Sequence, residues 1–79
     1  MTDKIKKFMD ALNKKSRDYL RERISELIKN PFQKNHDIKK LQNWGKNTYR
    51  LRLGKFRVVF QVTNNKIIIL AVDYRGNIY

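Results

Sequence analysis

The sequence predicts an α+β domain: an N-terminal helical hairpin packed on one face of a small antiparallel β-sheet. Three observations carry this. Apolar residues recur at helical spacing as far as Ile28, Asn30-Pro31 then stops the pattern, and from Tyr49 onward a period of two replaces it. The 79 residues suffice for one core, so a single domain is expected over 1–79, with the hairpin at about 3–30, a connection at about 31–48 and the sheet and tail at about 49–79.

In the first helix Ile5, Phe8, Met9 and Leu12 share a face, with Lys4, Lys6, Lys7 and Asp10 opposite. Thr2 is a candidate cap and Asp3 suits the first turn. Asn13-Lys14-Lys15 breaks the pattern, and Ser16 is the candidate cap of a second helix whose buried stripe is Tyr19, Leu20, Ile24, Leu27 and Ile28. The residue before proline avoids the helical region, so this helix ends at Asn30-Pro31. So short a link makes the two helices antiparallel neighbours. Phe32 to Thr48 is expected as a polar, basic connection, with Trp44 as a lid over the core and His36 solvated. Tyr49, Leu51 and Leu53 then alternate with Arg50 and Arg52 as a half-buried strand. Gly54-Lys55 suits a two-residue type II′ turn into Phe56–Thr63, whose Phe56, Val58, Phe60 and Val62 share a face. Asn64-Asn65 turns the chain into a third strand, Ile67–Tyr74, which is apolar on both faces and is therefore expected inside the sheet. The expectation is about three strands.

Nineteen Lys and Arg against seven Asp and Glu give a net charge of +12, which points to an anionic partner. From Ile38 to Val72 no residue is acidic, whereas Lys39, Lys40, Lys46, Arg50, Arg52, Lys55, Arg57 and Lys66 all fall there. A solvated face serving solubility is the plainer explanation, but such surfaces mix their signs as the first forty residues do. Anionic lipid is less favoured, because no Lys-flanked helix carries exposed Trp or Phe. With no cysteine there is neither disulfide nor thiolate ligand, and the apolar run from Ile67 to Val72 is too short to span a bilayer. A soluble, cytoplasmic chain without membrane attachment is the expectation.

A turn at Gly54-Lys55 sets Arg52 directly opposite Arg57, with Arg50 one pleat further on the same face. Guanidinium groups so placed repel one another unless an anion joins them. Each donates two parallel hydrogen bonds to phosphate oxygens, so a phosphate site follows. RNA is favoured over DNA as its source. The sequence offers no paired carboxylates for two-metal catalysis, no His cluster, no Walker loop and no nucleophile elbow, so neither metal nor cofactor is expected.

Tyr49-Arg50-Leu51-Arg52-Leu53-Gly54-Lys55-Phe56-Arg57-Val58-Val59-Phe60, an apolar strand, and then Tyr74-Arg75-Gly76-Asn77-Ile78-Tyr79 resemble the second half of RelE-type toxins of the RelE/ParE superfamily. The helical hairpin, the Pro31 stop and Ile38-Lys39-Lys40-Leu41 agree with that family in layout. The resemblance implies a toxin of a type II toxin–antitoxin system that cuts messenger RNA on the ribosome and is neutralised by an acidic, RelB-like antitoxin. It implies metal-independent attack of the RNA 2′-hydroxyl on its adjacent phosphate. By position, Arg57 matches the strand arginine that holds the scissile phosphate, and Arg75 the arginine that stabilises or protonates the leaving oxygen. Tyr79 matches the tyrosine that organises the substrate nucleotide, and Arg52 stands with Arg50 in the basic pair on the first matching strand. The RNA-binding candidates are Arg50, Arg52, Lys55, Lys46, Lys39 and Lys40.

The chain departs from the family pattern in starting directly in helix, where many members begin with a strand, and in ending on Tyr79. Where some relatives place Lys, Glu or His it offers Arg50 and Arg52, and arginine is a poor general base; Tyr79 or Lys55 are the alternatives. Two other readings therefore stand beside the ribonuclease: a ParE-like inhibitor of DNA gyrase, and a catalytically inactive RNA-binding relative.

Overall fold

The computed structural model describes residues 2–33, 36–42, 44–64 and 66–77. Helix α1 spans Thr2–Ala11 and α2 spans Lys14–Lys29; strands β1 (Asp37–Lys40), β2 (Thr48–Leu53), β3 (Phe56–Thr63) and β4 (Lys66–Tyr74) follow, and a 3₁₀ turn, Arg75–Asn77, closes the order. The strands form one antiparallel sheet in the order β1-β2-β3-β4.

Helix α2 starts two residues before the expected cap. The Asn13 side chain, not that of Ser16, accepts the orphan N–H of the first turn, from Ser16 N at 2.8 Å. At the other end Asn30 N donates to Glu26 O at 3.0 Å before Pro31 ends the helix. Leu20 and Leu27 are fully buried, with Ile24 packed against the core between them. Tyr19 and Ile28, expected in the same stripe, are exposed instead. They lie roughly a quarter turn to either side of Leu20, and on a helix of 3.6 residues per turn that is the edge of the packed face. The Arg23 guanidinium sits over the Tyr19 ring, 5.8 Å from its centroid.

The helices cover one face of the sheet. Leu51, Leu53, Phe56, Val58, Phe60 and Val72 form the core there with Leu12, Leu20 and Leu27, and Ile5, Phe8, Met9 and Ile24 pack against it. Phe8 meets Phe56 and Tyr74 edge to face, at 6.1 and 5.2 Å between ring centroids, which seats α1 over β3 and β4. Trp44 is no lid: it is 41% exposed and is not among the residues packed on the core.

Two sheet expectations need correction. The sheet has four strands, because Asp37–Lys40 leaves the presumed connection and pairs with β2, Ile38 opposite Leu51 and Lys40 opposite Tyr49. A strand of four residues with one apolar member shows no alternation, and its register comes from its neighbour. The apolar β4 is an edge, not an interior strand. It also carries an irregularity: Val59 pairs with Ala71 but Phe60 pairs with Ile69, which leaves Leu70 as an extra residue. That residue inverts the alternation, so Ile67 and Ile69 face the helices before it, and Val72 and Tyr74 after it.

Candidate nucleic-acid interface

The β2–β3 turn sets the geometry of the site. Gly54 has φ = +59°, the left-handed value a non-glycine residue avoids, and Lys55 does not share it. This is the pattern of a type II′ turn. As expected, Leu53 pairs with Phe56, and Arg52 with Arg57. The register continues outward on both sides, Asp37 opposite Arg52 and Asp73 opposite Arg57, so one row across four strands reads Asp37, Arg52, Arg57, Asp73. The next row on this face holds Lys39 and Arg50.

These rows line a cleft of about 380 Å³ bounded by Lys39, Leu41, Arg50, Arg52, Arg57 and Arg75. Four of its six residues are arginines. Arg52 is exposed and its Nε reaches Asp37 Oδ2 at 3.4 Å. Arg50 and Arg57 are only 5% exposed each, so the arginine face is less open than the alternation suggested. Arg57 Nη1 donates to Gly54 O at 2.6 Å and to Phe56 O at 2.7 Å, which ties the guanidinium to the turn. Burial depresses its pKa, and the positive charges of Arg52, Arg50 and Arg75 depress it further, while Asp37 opposes them. Arg50 Nη1 is shielded from solvent and has no hydrogen-bond partner among the described residues. A charged donor left in that state is costly, and an oxygen anion in the cleft would satisfy it.

Arg75 arrives from the other end of the chain. Its backbone N–H donates to Lys55 O at 2.9 Å, which pins the start of the 3₁₀ turn to the β2–β3 turn and brings its side chain to the cleft wall. Of the other residues expected at the site, Lys39 is in place. Lys55 sits next door, its ammonium 5.4 Å from the centroid of the Phe56 ring, and it lines a neighbouring groove with Gly54, Tyr74, Arg75 and Gly76. Lys40 and Lys46 are not brought to the arginines: Lys40 pairs with Tyr49 and shares the opposite face, and the Lys46 carbonyl accepts from Thr48 Oγ1 and Gln61 Nε2 at the far end of β2. Tyr79 lies outside the described residues. Sequence reasoning missed Asp37, Leu41 and Asp73. The two aspartates flank the acid-free stretch, and only the β1 register and the irregularity at Leu70 carry them to the arginine face.

The cleft suits a phosphate held by several guanidinium groups, and comparison with known proteins agrees with the fold that builds it. The profile of the family described as ParE toxin of type II toxin-antitoxin system, parDE, matches residues 1–79. The chain belongs to that toxin family. Among solved structures this toxin is similar to the crystal structure of the RelB-RelE antitoxin-toxin complex from Methanococcus jannaschii, with 28% identity, a TM-score of 0.69 and coverage of 92% of this chain and 86% of that one. The toxin is thus a member of the RelE/ParE superfamily, with two helices on a four-stranded antiparallel sheet. No curated protein matches it in sequence. No helix among the described residues is long and apolar enough to cross a membrane.

Proposed function

We propose that this toxin is a ribosome-dependent endoribonuclease that cuts messenger RNA without a metal ion and thereby inhibits translation. The observation that carries the reading is the convergence of Arg50, Arg52, Arg57 and Arg75 on one cleft, two of them buried and one with an unsatisfied donor. In the reaction the RNA 2′-oxygen bonds to the adjacent phosphorus, and the 5′-oxygen of the next nucleotide leaves. Negative charge builds first on the non-bridging oxygens and then on the departing one. Arg57, held by two backbone carbonyls, faces the first of these charges, and Arg75, reaching in from the tail, the second. A donor fixed in this way contributes about 3–4 kcal/mol of transition-state stabilisation. Arginine keeps its protons too tightly to accept the one leaving the 2′-hydroxyl, so that role requires an unprotonated Lys55 amine, turned in from the neighbouring groove, or a Tyr79 phenolate. An acidic, RelB-like antitoxin is the expected protein partner of a chain of net charge +12, in the cytoplasm.

The test is chemical. A message carrying one 2′-deoxynucleotide at the mapped cut site should resist cleavage on the ribosome, and the unmodified message should yield a 2′,3′-cyclic phosphate end. Cleavage of the deoxy message at the wild-type rate would rule out the 2′-hydroxyl as nucleophile. A second reading, inhibition of DNA gyrase, is favoured by the match of the whole chain to ParE toxins. It predicts broken DNA beside intact messages.

A further inference from the structure

A second groove lies on the helix-side face of the sheet at its β1 edge, away from the arginines. It measures about 400 Å³ and is lined by Phe32, Gln33, His36, Ile38, Lys40 and Tyr49. Its floor is aromatic and anchored. Phe32 meets Tyr49 edge to face at 5.2 Å, and Tyr49 stacks on the fully buried Phe60 at 5.6 Å. Phe32 itself is 56% exposed, so one face of its ring is open to a ligand while its edge is held against Tyr49. The wall is polar: His36 N donates to Gln33 O at 3.0 Å, which holds the two side chains on one turn of chain. His36 Nε2 is shielded from solvent and lacks a hydrogen-bond partner among the described residues. An aromatic surface, an amide, an imidazole and an ammonium in one groove match the parts of a nucleotide: a ring to stack, a base edge to bond, a phosphate to neutralise.

The two grooves share a strand. Lys39 lines the arginine cleft and Lys40, the next residue, lines this groove, because successive side chains of β1 point to opposite faces. A single strand with one phosphate among the arginines therefore needs only to turn over the β1 edge to reach Phe32. We propose that this groove is a subsite for an unpaired base of the same RNA, with Phe32 as stacking surface, Gln33 and His36 bonding the base edge, and Lys40 on the phosphate. The inference rests on the RNA reading of the arginine cleft.

The experiment measures binding of a single-stranded RNA of about ten nucleotides, and of the same backbone made abasic, to the full chain across a range of salt. Phe32→Leu keeps an apolar side chain at an exposed position and removes the ring face. It should lower affinity for the RNA about tenfold, leave the slope of log affinity against log salt unchanged, and leave binding of the abasic strand unchanged. His36→Ala should weaken the RNA severalfold in the same base-dependent way, whereas Lys40→Ala should reduce the salt slope by about 0.7. Wild-type binding by Phe32→Leu and His36→Ala, alongside weakened binding by Arg57→Lys, would overturn the subsite and leave the cleft standing. Wild-type affinity and an unchanged salt slope with Arg52→Gln as well would remove the RNA reading itself. If Phe32→Leu spared RNA but released an acidic protein partner, the groove would be a protein interface and the subsite would be wrong.

Discussion

Arg50 and Arg57 are buried cations on a chain that already carries +12, so burying each of them costs the free protein stability. Burial of a charge is offset only by partners. Arg57 has two backbone carbonyls, whereas Arg50 Nη1 has none among the described residues. Replacing Arg50 with the similarly shaped methionine should therefore stabilise the free protein by ~1 kcal/mol while weakening its hold on RNA. Urea unfolding and RNA titration of the same variant check both halves. A destabilised Arg50→Met would mean that the guanidinium supports the fold, not the site. Arg57→Lys keeps the charge but loses the planar fork, and should lower cleavage by on the order of a hundredfold with the fold intact. Single-turnover cleavage on programmed ribosomes measures it, and an unimpaired lysine variant would contradict the catalytic role proposed for Arg57.

At the scale of elements, the site depends on two local features of the sheet. The β2–β3 turn needs the positive φ of Gly54; nothing lies within 4 Å of a Cβ built there, so Gly54→Ala isolates the backbone term, about 1–2 kcal/mol of stability by thermal or urea unfolding. A neutral Gly54→Ala would contradict the turn type. The extra residue Leu70 is the second feature. Inserting one alanine after Ala71 would set Val72 opposite Arg57 and drive Asp73 to the core face opposite Phe56, so the variant should not fold, as circular dichroism would show. Deleting Leu70 leaves the flanking pairs as they are and should be tolerated far better. These features also explain what was legible in the sequence. The glycine turn announced itself, and with it the Arg52–Arg57 pair. The alternation from Tyr49 to Val62 identified the face the helices cover. β1 was hidden because Lys39, Lys40 and Asp37 carry no period, and the place of β4 at the edge was hidden because its apolar run looks like an interior strand. The row of aspartates outside the arginines depends on both, so no local pattern could show it. Tyr19 and Ile28 misled because a stripe five residues wide exceeds the face that the sheet can cover.

The whole molecule is a strong field around a small cleft. On the proposed RNA reading, the net charge of +12 would draw RNA from a distance and the cleft would then select a backbone phosphate at short range. Binding to single-stranded RNA should fall steeply with salt, and Arg52→Gln, which removes an exposed charge at the cleft wall, should lessen the slope by about 0.7, while Lys6→Gln on the far side of α1 should change it less. Equal effects from the two would assign the binding to net charge and not to the arginine face. β4 adds a consequence of its own: an apolar edge strand with Ile68 38% exposed is prone to pair with other chains, so the free protein should associate at high concentration unless the edge is covered. The arginine cleft is tested most directly by what it does in a cell. The measurement is to express the wild type and Arg57→Lys without antitoxin, then map message ends and chromosomal breaks in the same cultures. The predicted result is ribosome-positioned cuts in messages with intact DNA, nearly absent with Arg57→Lys. Intact messages beside broken DNA, or undiminished cutting by Arg57→Lys, would contradict it.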